Sequence, residues 1–248
     1  MLTTGLSALQ ADVIAFQEVI FTPDHDQVRD VVAAEMQVVH HSDREPGADG
    51  VEAGQGISIA SRWPIAEVRE IDLNVTSRTR DFACSALVAR IDAPVGPLLF
   101  VNHLPSWQLN FERERELQAV ALARVLEELA TGQQCHVVVA GDFDADPAAA
   151  SVRFWTGRQS LEGLSVCYRD AWESLHPQEP GHTFTPENPL VADPDWPFRR
   201  IDYILVRCGE HGGPTLAIRS CERIFDDPIE GVQVSDHYGL SAELTARS

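Results

Sequence analysis

No lysine occurs anywhere in this chain of 248 residues: all nineteen of its basic residues are arginines. That absence excludes a P-loop Lys under a nucleotide phosphate, a Schiff-base Lys for pyridoxal phosphate, and any Lys acting as acid or base. Cysteine is scarce. Cys84, Cys135, Cys167, Cys208 and Cys221 are odd in number, widely spaced and never in C-x-x-C. They suggest neither a disulfide framework nor a thiolate zinc site and read as reduced thiols. Long apolar runs are missing: none approaches the roughly 18 residues of a membrane span, and no basic-then-apolar segment opens the chain. A soluble, cytoplasmic protein is expected. Positive charge is short overall, since 19 basic against 38 acidic residues give a net charge of -19. Such a field repels a nucleic-acid backbone or an anionic membrane, while leaving room for a small phosphate ester or a local Arg-lined groove.

What is present is ordinary globular composition, 44% hydrophobic and 23% charged, without a repeat or a dividing linker. A single domain over 1-248 is expected. Leu2, Leu6 and Leu9 make a short helical stripe, and 12–16 reads as a buried strand. Thr22-Pro23 predicts a helix start with Val28, Val31 and Val32 inward. The polar stretch 42–56 reads as a surface loop. Strands are expected over 57–60, 68–73, 83–91, 98–102, 137–140, 201–206, 216–219 and 239–244. One long helix is expected over 108–130, stopped by Gly132. The result is a mixed α/β protein with more strands than helices.

Its chemistry lies where acidic and imidazole side chains meet strand ends. Asp12-Val-Ile-Ala-Phe-Gln-Glu18 ends in Glu18, and Leu98-Leu-Phe-Val-Asn-His103 ends in His103. Val137-Val-Val-Ala-Gly-Asp-Phe-Asp144 ends in Asp142 and Asp144. Asp202 falls within an apolar strand, and Asp236-His237 precedes the last one. Each has a structural reading: Glu18 as a solvated turn residue, Asp142-x-Asp144-x-Asp146 as capping carboxylates, His103 as a core imidazole, Asp202 as a partner of Arg199 or Arg200. Five such coincidences at strand boundaries favour a shared site, because strand ends gather at one sheet edge. Hard carboxylate oxygens without Cys ligands suit Mg²⁺, with Mn²⁺ as the alternative.

In series, these segments resemble the endonuclease/exonuclease/phosphatase superfamily of Mg²⁺-dependent phosphoesterases. The matching segments are Asp12-Val-Ile-Ala-Phe-Gln-Glu-Val19, Gly56-Ile-Ser-Ile-Ala-Ser-Arg62, Val101-Asn-His-Leu104, Ala140-Gly-Asp-Phe-Asp-Ala-Asp-Pro147, Arg200-Ile-Asp-Tyr-Ile204 and Ser235-Asp-His237, in family order over nearly the whole chain. The resemblance implies a four-layer α/β/β/α sandwich of two mixed sheets with the site at one end. It implies Glu18 as the principal metal ligand with Asp236 in the same metal region, and Asp142 orienting or deprotonating the attacking water. It implies His237, held by Asp202, as general base or phosphate hydrogen-bond donor, and His103 as a second imidazole at the phosphate or leaving group.

Two departures from the pattern stand out. The family's first strand, with its metal-directed Asn, is absent, so the natural start is expected upstream of Met1. Asp144 stands where the family usually has Asn, so it is expected to be an added metal ligand or a carboxyl with a raised pKa. Arg78, Arg80, Arg199 and Arg200 are candidates for phosphate, Trp107 for stacking on a base or ring, and His182 and Asn188 for lining the pocket. The expected activity is hydrolysis of a phosphomonoester or phosphodiester by a monomer, with a small or short substrate favoured over long nucleic acid. A deoxyribonuclease-like nuclease and a catalytically silent scaffold are the rival readings.

Overall fold

The computed structural model describes residues 2–22, 24–42, 54–80, 84–132 and 135–247. Helix α1 (Leu2–Leu9) buries Leu6, and strand β1 (Val13–Thr22) follows it. A short β2 (His25–Asp26) then folds back on β1, with Thr22 opposite His25. β3 (Gln37–Ser42) and β4 (Gly54–Ser61) complete an antiparallel sheet in the order β2-β1-β4-β3. A six-stranded sheet runs β5 (Ile65–Asp72), β6 (Ser85–Ala93), β7 (Gly96–Leu104), β8 (His136–Asp142), β10 (Asp202–Arg207), β9 (Tyr168–Asp170). Only β7 and β8 are parallel, joined through the long helix α2 (Glu112–Ala130), as a parallel crossover requires. β11 (Leu216–Ile224) and β12 (Gly239–Ala246) pair as a separate two-stranded sheet.

Alternation of apolar side chains gives the six-stranded sheet two buried faces. On one, Val88, Val101, Val137 and Val139 pack beneath α2 (Leu122, Leu126) and α3 (Ala150–Trp155). On the other, Leu87, Phe100 and Val138 meet Ile57 and Ile59 of β4 together with Leu216, Ile218 and Leu244 of the two-stranded sheet. The expected pair of packed β layers is therefore present, with the second layer in two pieces. The family's first strand is not among the described residues. On the side of β1 away from β4, only its last two residues are paired, with β2. Helix α4 (Ala171–Leu175) packs Ala171 and Trp172 against Cys221, Ile204 and Ile218, closing one flank. No described helix is long and apolar enough to cross a membrane.

One predicted element is corrected. No helix opens at 22–23: Thr22 stays in the β1 ladder, and Pro23 lies outside the described residues. The Asp26 carboxylate accepts from the backbone N–H groups of Val28 and Arg29 and nucleates a single turn, which the β-branched Val31 and Val32 do not propagate. Most of the expected 42–56 loop, residues 43–53, lies outside the described residues, while Ser42 and Gly54–Gly56 belong to strands. Strand β3, with its two adjacent histidines, and the short β9 and α4 were not evident from the sequence pattern.

Candidate active site

The site forms at one edge of the six-stranded sheet because β8 ends and β10 begins there. Asp142 and Asp202 are directly opposed across that antiparallel pair. His103, near the end of β7, is register partner to Gly141. Gly141 has φ +141°, and a Cβ at this position would lie 2.2 Å from the His103 carbonyl oxygen. Only glycine lets the two strands approach so closely. The opposing layer delivers Glu18. Register shifts between Phe16 and Val19, and at this bulge Glu18 adopts φ +53° and turns out of the sheet. Asn102, fully buried in β7, holds the bulge: its side-chain amide donates to the Phe16 carbonyl at 2.7 Å and the Ser58 carbonyl at 2.9 Å. Its side-chain oxygen accepts from Gln17.

His237 completes the group from the segment before β12. Its Nδ1 lies 3.0 Å from Asp202 Oδ2, and its Nε2 lies 3.9 Å from Asp142 Oδ2. Thr183 links the two halves. Its hydroxyl accepts from the N–H groups of Ile201 and Asp202, and its carbonyl accepts from Tyr238 N–H. Asn188, buried, donates to the Ser235 carbonyl at 3.0 Å and so braces the turn that carries Asp236. Asp142, Asp202 and His237 offer ligand atoms all within 4.8 Å of one another.

The electrostatics are those of crowded acids around one imidazole. Burial disfavours the His237 cation, but Asp202 and Asp142 outweigh it and hold the imidazole well above its ordinary range. Asp142 is pushed up by burial and then by Asp144. Asp144 rises to about 6 through burial, against the pull of Arg199. Asp144 also sits at φ +50°, its N–H donating to Asp142 Oδ1 at 2.8 Å, while Arg199 donates to the Asp144 carbonyl at 2.6 Å. Glu18 reaches solvent, yet partial burial of its carboxyl and then the charge of Asp236 raise it. Glu18 and Asp236, near enough for the charge of one to raise the other, offer hard oxygens of the kind Mg²⁺ takes, and a divalent cation would relieve their repulsion. The residues therefore fit the implied metal.

Not every sequence candidate joins this group. His103 is 2% exposed and packs edge-on against Phe143 at 4.8 Å and Trp155 at 6.3 Å. Burial lowers it to about 3, so it is neutral, and its Nδ1 is buried without a hydrogen-bond partner among the described residues. Arg200 is buried in an ion pair with Asp170 at 2.7 Å, which keeps its guanidinium within the protein. Asn188 likewise has its amide committed to Ser235 and its oxygen to Leu190 N–H. His182 packs against Phe198 at 5.5 Å. Arg78 is bound to Glu114 and stacked over Phe111. Arg80 is exposed, and Trp107 is 46% exposed on the loop after β7. Arg115 fastens that loop from beneath by donating to the Ser106 and Gln108 carbonyls. Sequence reasoning missed Asn102, Thr183 and the pairing role of Arg199. For Asn102 the signal was a polar residue inside an apolar strand run.

Packed β layers that bring a carboxylate-held imidazole and a group of acids to one edge are an arrangement suited to the class of metal-dependent phosphoesterases. Within that class the chain belongs to the Endonuclease/Exonuclease/phosphatase family, whose model matches residues 2–237. Among solved structures, D. rerio TDP2 complexed with a single-strand DNA product superposes with a TM-score of 0.74 at 22% identity, covering 97% of this chain and 88% of that one. The human Nocturnin catalytic domain with bound sulfate gives 0.70 at 18% identity, with coverage of 98% and 83%. A Bacteroides vulgatus endonuclease/exonuclease/phosphatase gives 0.70 at 18%, with coverage of 99% and 88%. These likenesses are of fold. No curated protein matches the sequence.

Proposed function

We propose that the chain hydrolyses phosphate esters by direct attack of water, without a covalent enzyme intermediate. The observation that carries this reading is the Asp202–His237–Asp142 arrangement, in which one carboxylate holds Nδ1 at 3.0 Å and the opposite nitrogen faces a second, buried carboxylate. Held as a cation by Asp202 and Asp142, His237 is a hydrogen-bond donor to a phosphate oxygen rather than the base. Asp142, its basicity raised by burial, is the group suited to orient the water and take its proton. Glu18 and Asp236 are the residues that would hold Mg²⁺, or Mn²⁺ in its place, and the bound ion supplies charge neutralisation on the non-bridging oxygens. His103, neutral and buried, supports the floor beside Gly141 rather than touching the phosphate.

Trp107 and Arg80 are the exposed candidates for touching the rest of the substrate. The net charge of -19 favours a small phosphoester or a short nucleic-acid end over a long backbone. The test is a panel of phosphomonoesters, a generic phosphodiester and plasmid DNA, each with Mg²⁺ and with chelator, on wild type and His237→Ala. Metal-dependent turnover lost by at least about 100-fold in the variant is expected. Plasmid nicking in preference to the small esters would favour a nuclease. Metal-dependent thermal stabilisation without turnover on any substrate would favour a silent scaffold.

A further inference from the structure

A second set of reactive side chains lies on the outer edge of the six-stranded sheet, where β9 pairs antiparallel with β10. Arg207 stands opposite Tyr168, and Val206 opposite Arg169. One step further, the register sets Cys208 across from Cys167, and the ladder does continue: the Cys208 N–H donates to the Cys167 carbonyl at 2.9 Å. Directly opposed residues of an antiparallel pair have Cα atoms about 4.5–5.5 Å apart, inside the range a disulfide spans. The Cys167 thiol is also close enough to Cys208 to raise it. The five cysteines differ in access: Cys167 is exposed, and the other four are buried.

We propose that Cys167 and Cys208 are a thiol modification site, which a low-molecular-weight disulfide converts to a reversible cross-strand disulfide. Cys167, the sulfur that solvent reaches, attacks the reagent as thiolate. An S–S bond to Cys167 forms, and one thiolate leaves. Cys208 then gives its proton to water and attacks the Cys167 sulfur, displacing the second thiolate. Two protein thiols are thereby oxidised and one small disulfide is reduced to two thiols. Burial and the Cys167 contact push the Cys208 thiol up to about 11, which fixes the order of events: Cys208 resolves and does not initiate. The sequence could not show this pair, because the two residues meet only through strand register. The bond closes a loop on the order of 40 residues, which contains β9, α4 and all of β10. The inference is independent of the hydrolytic reading.

The full chain, reduced and then freed of reductant, is incubated with oxidised glutathione under native conditions and read by intact mass and non-reducing peptide mapping. Loss of two hydrogens with a linked Cys167–Cys208 peptide, reversed by dithiothreitol, is expected. In Cys208→Ser, glutathione should remain bound at Cys167, and Cys167→Ser should not react. A wild type that stops at the mixed disulfide, links other cysteines, dimerises through Cys167, or reacts only in urea overturns the proposal. Far-ultraviolet circular dichroism of each variant secures its fold, and Cys167→Ala replaces Cys167→Ser if the latter is unfolded.

Discussion

Glu18 and Asp144 both hold non-glycine backbones in the left-handed region, at φ +53° and +50°. Such conformations cost on the order of 1 kcal/mol or more and persist where surrounding contacts over-determine them. The contacts here are Asn102 beneath the Glu18 bulge and the Asp142–Arg199 clamp around Asp144. Asp144 also makes a pH prediction. Its carboxyl is raised to about 6 in the folded chain from an ordinary 3.8. Below the lower value it is protonated in both states. Between the two the unfolded chain ionises first, so stability drains as pH rises through about 6. Asp144→Asn should therefore be more stable than wild type at pH 8, by at most about 3 kcal/mol, and unfold at a higher temperature. The difference should vanish near pH 4, as measured by thermal melts in chelator. Arg200 makes a second prediction. Its buried pair with Asp170 implies that Arg200→Gln costs about 3–5 kcal/mol, while kcat/KM of the fraction that remains folded stays within a few-fold of wild type. A denaturant titration alongside kinetics separates the two effects.

At the scale of elements, the site depends on how closely β8 can approach β7. Gly141→Ala sets a Cβ against the His103 carbonyl at a backbone φ of +141°. It should cost about 3 kcal/mol or more and lower activity by displacing Asp142, which the same kinetics and melts would register together. The strand runs were legible in the sequence because alternation and turn residues mark them. The helix expected after Thr22 was not a sound inference, since its capping signal is local and the β1 ladder, a tertiary arrangement, retained Thr22. Arg200 and Asn188 illustrate the same limit. A polar side chain near a motif looks available until a partner far away in the chain, Asp170 or Ser235, is seen to bind it.

For the molecule as a whole, the net charge of -19 and the acids gathered at one edge predict that divalent cations stabilise more than ionic strength does. Millimolar Mg²⁺ should raise the midpoint of thermal unfolding by several degrees beyond an equal ionic strength of NaCl. Glu18→Gln should remove most of that difference. The order of the motifs along the chain, the chemical types of the acids and imidazoles, the lack of lysine and the acidic field were all determined by the amino-acid sequence alone, because they are properties of residue identity and local pattern. Tertiary structure alone decided which of those groups share an edge. Asp142 faces Asp202 through register, His237 reaches both from the segment before the last strand, His103 is sealed away as a neutral ring, and Cys167 lies across from Cys208. Such proximities arise from pairing between distant segments and from burial, and neither is written in any one stretch of the chain.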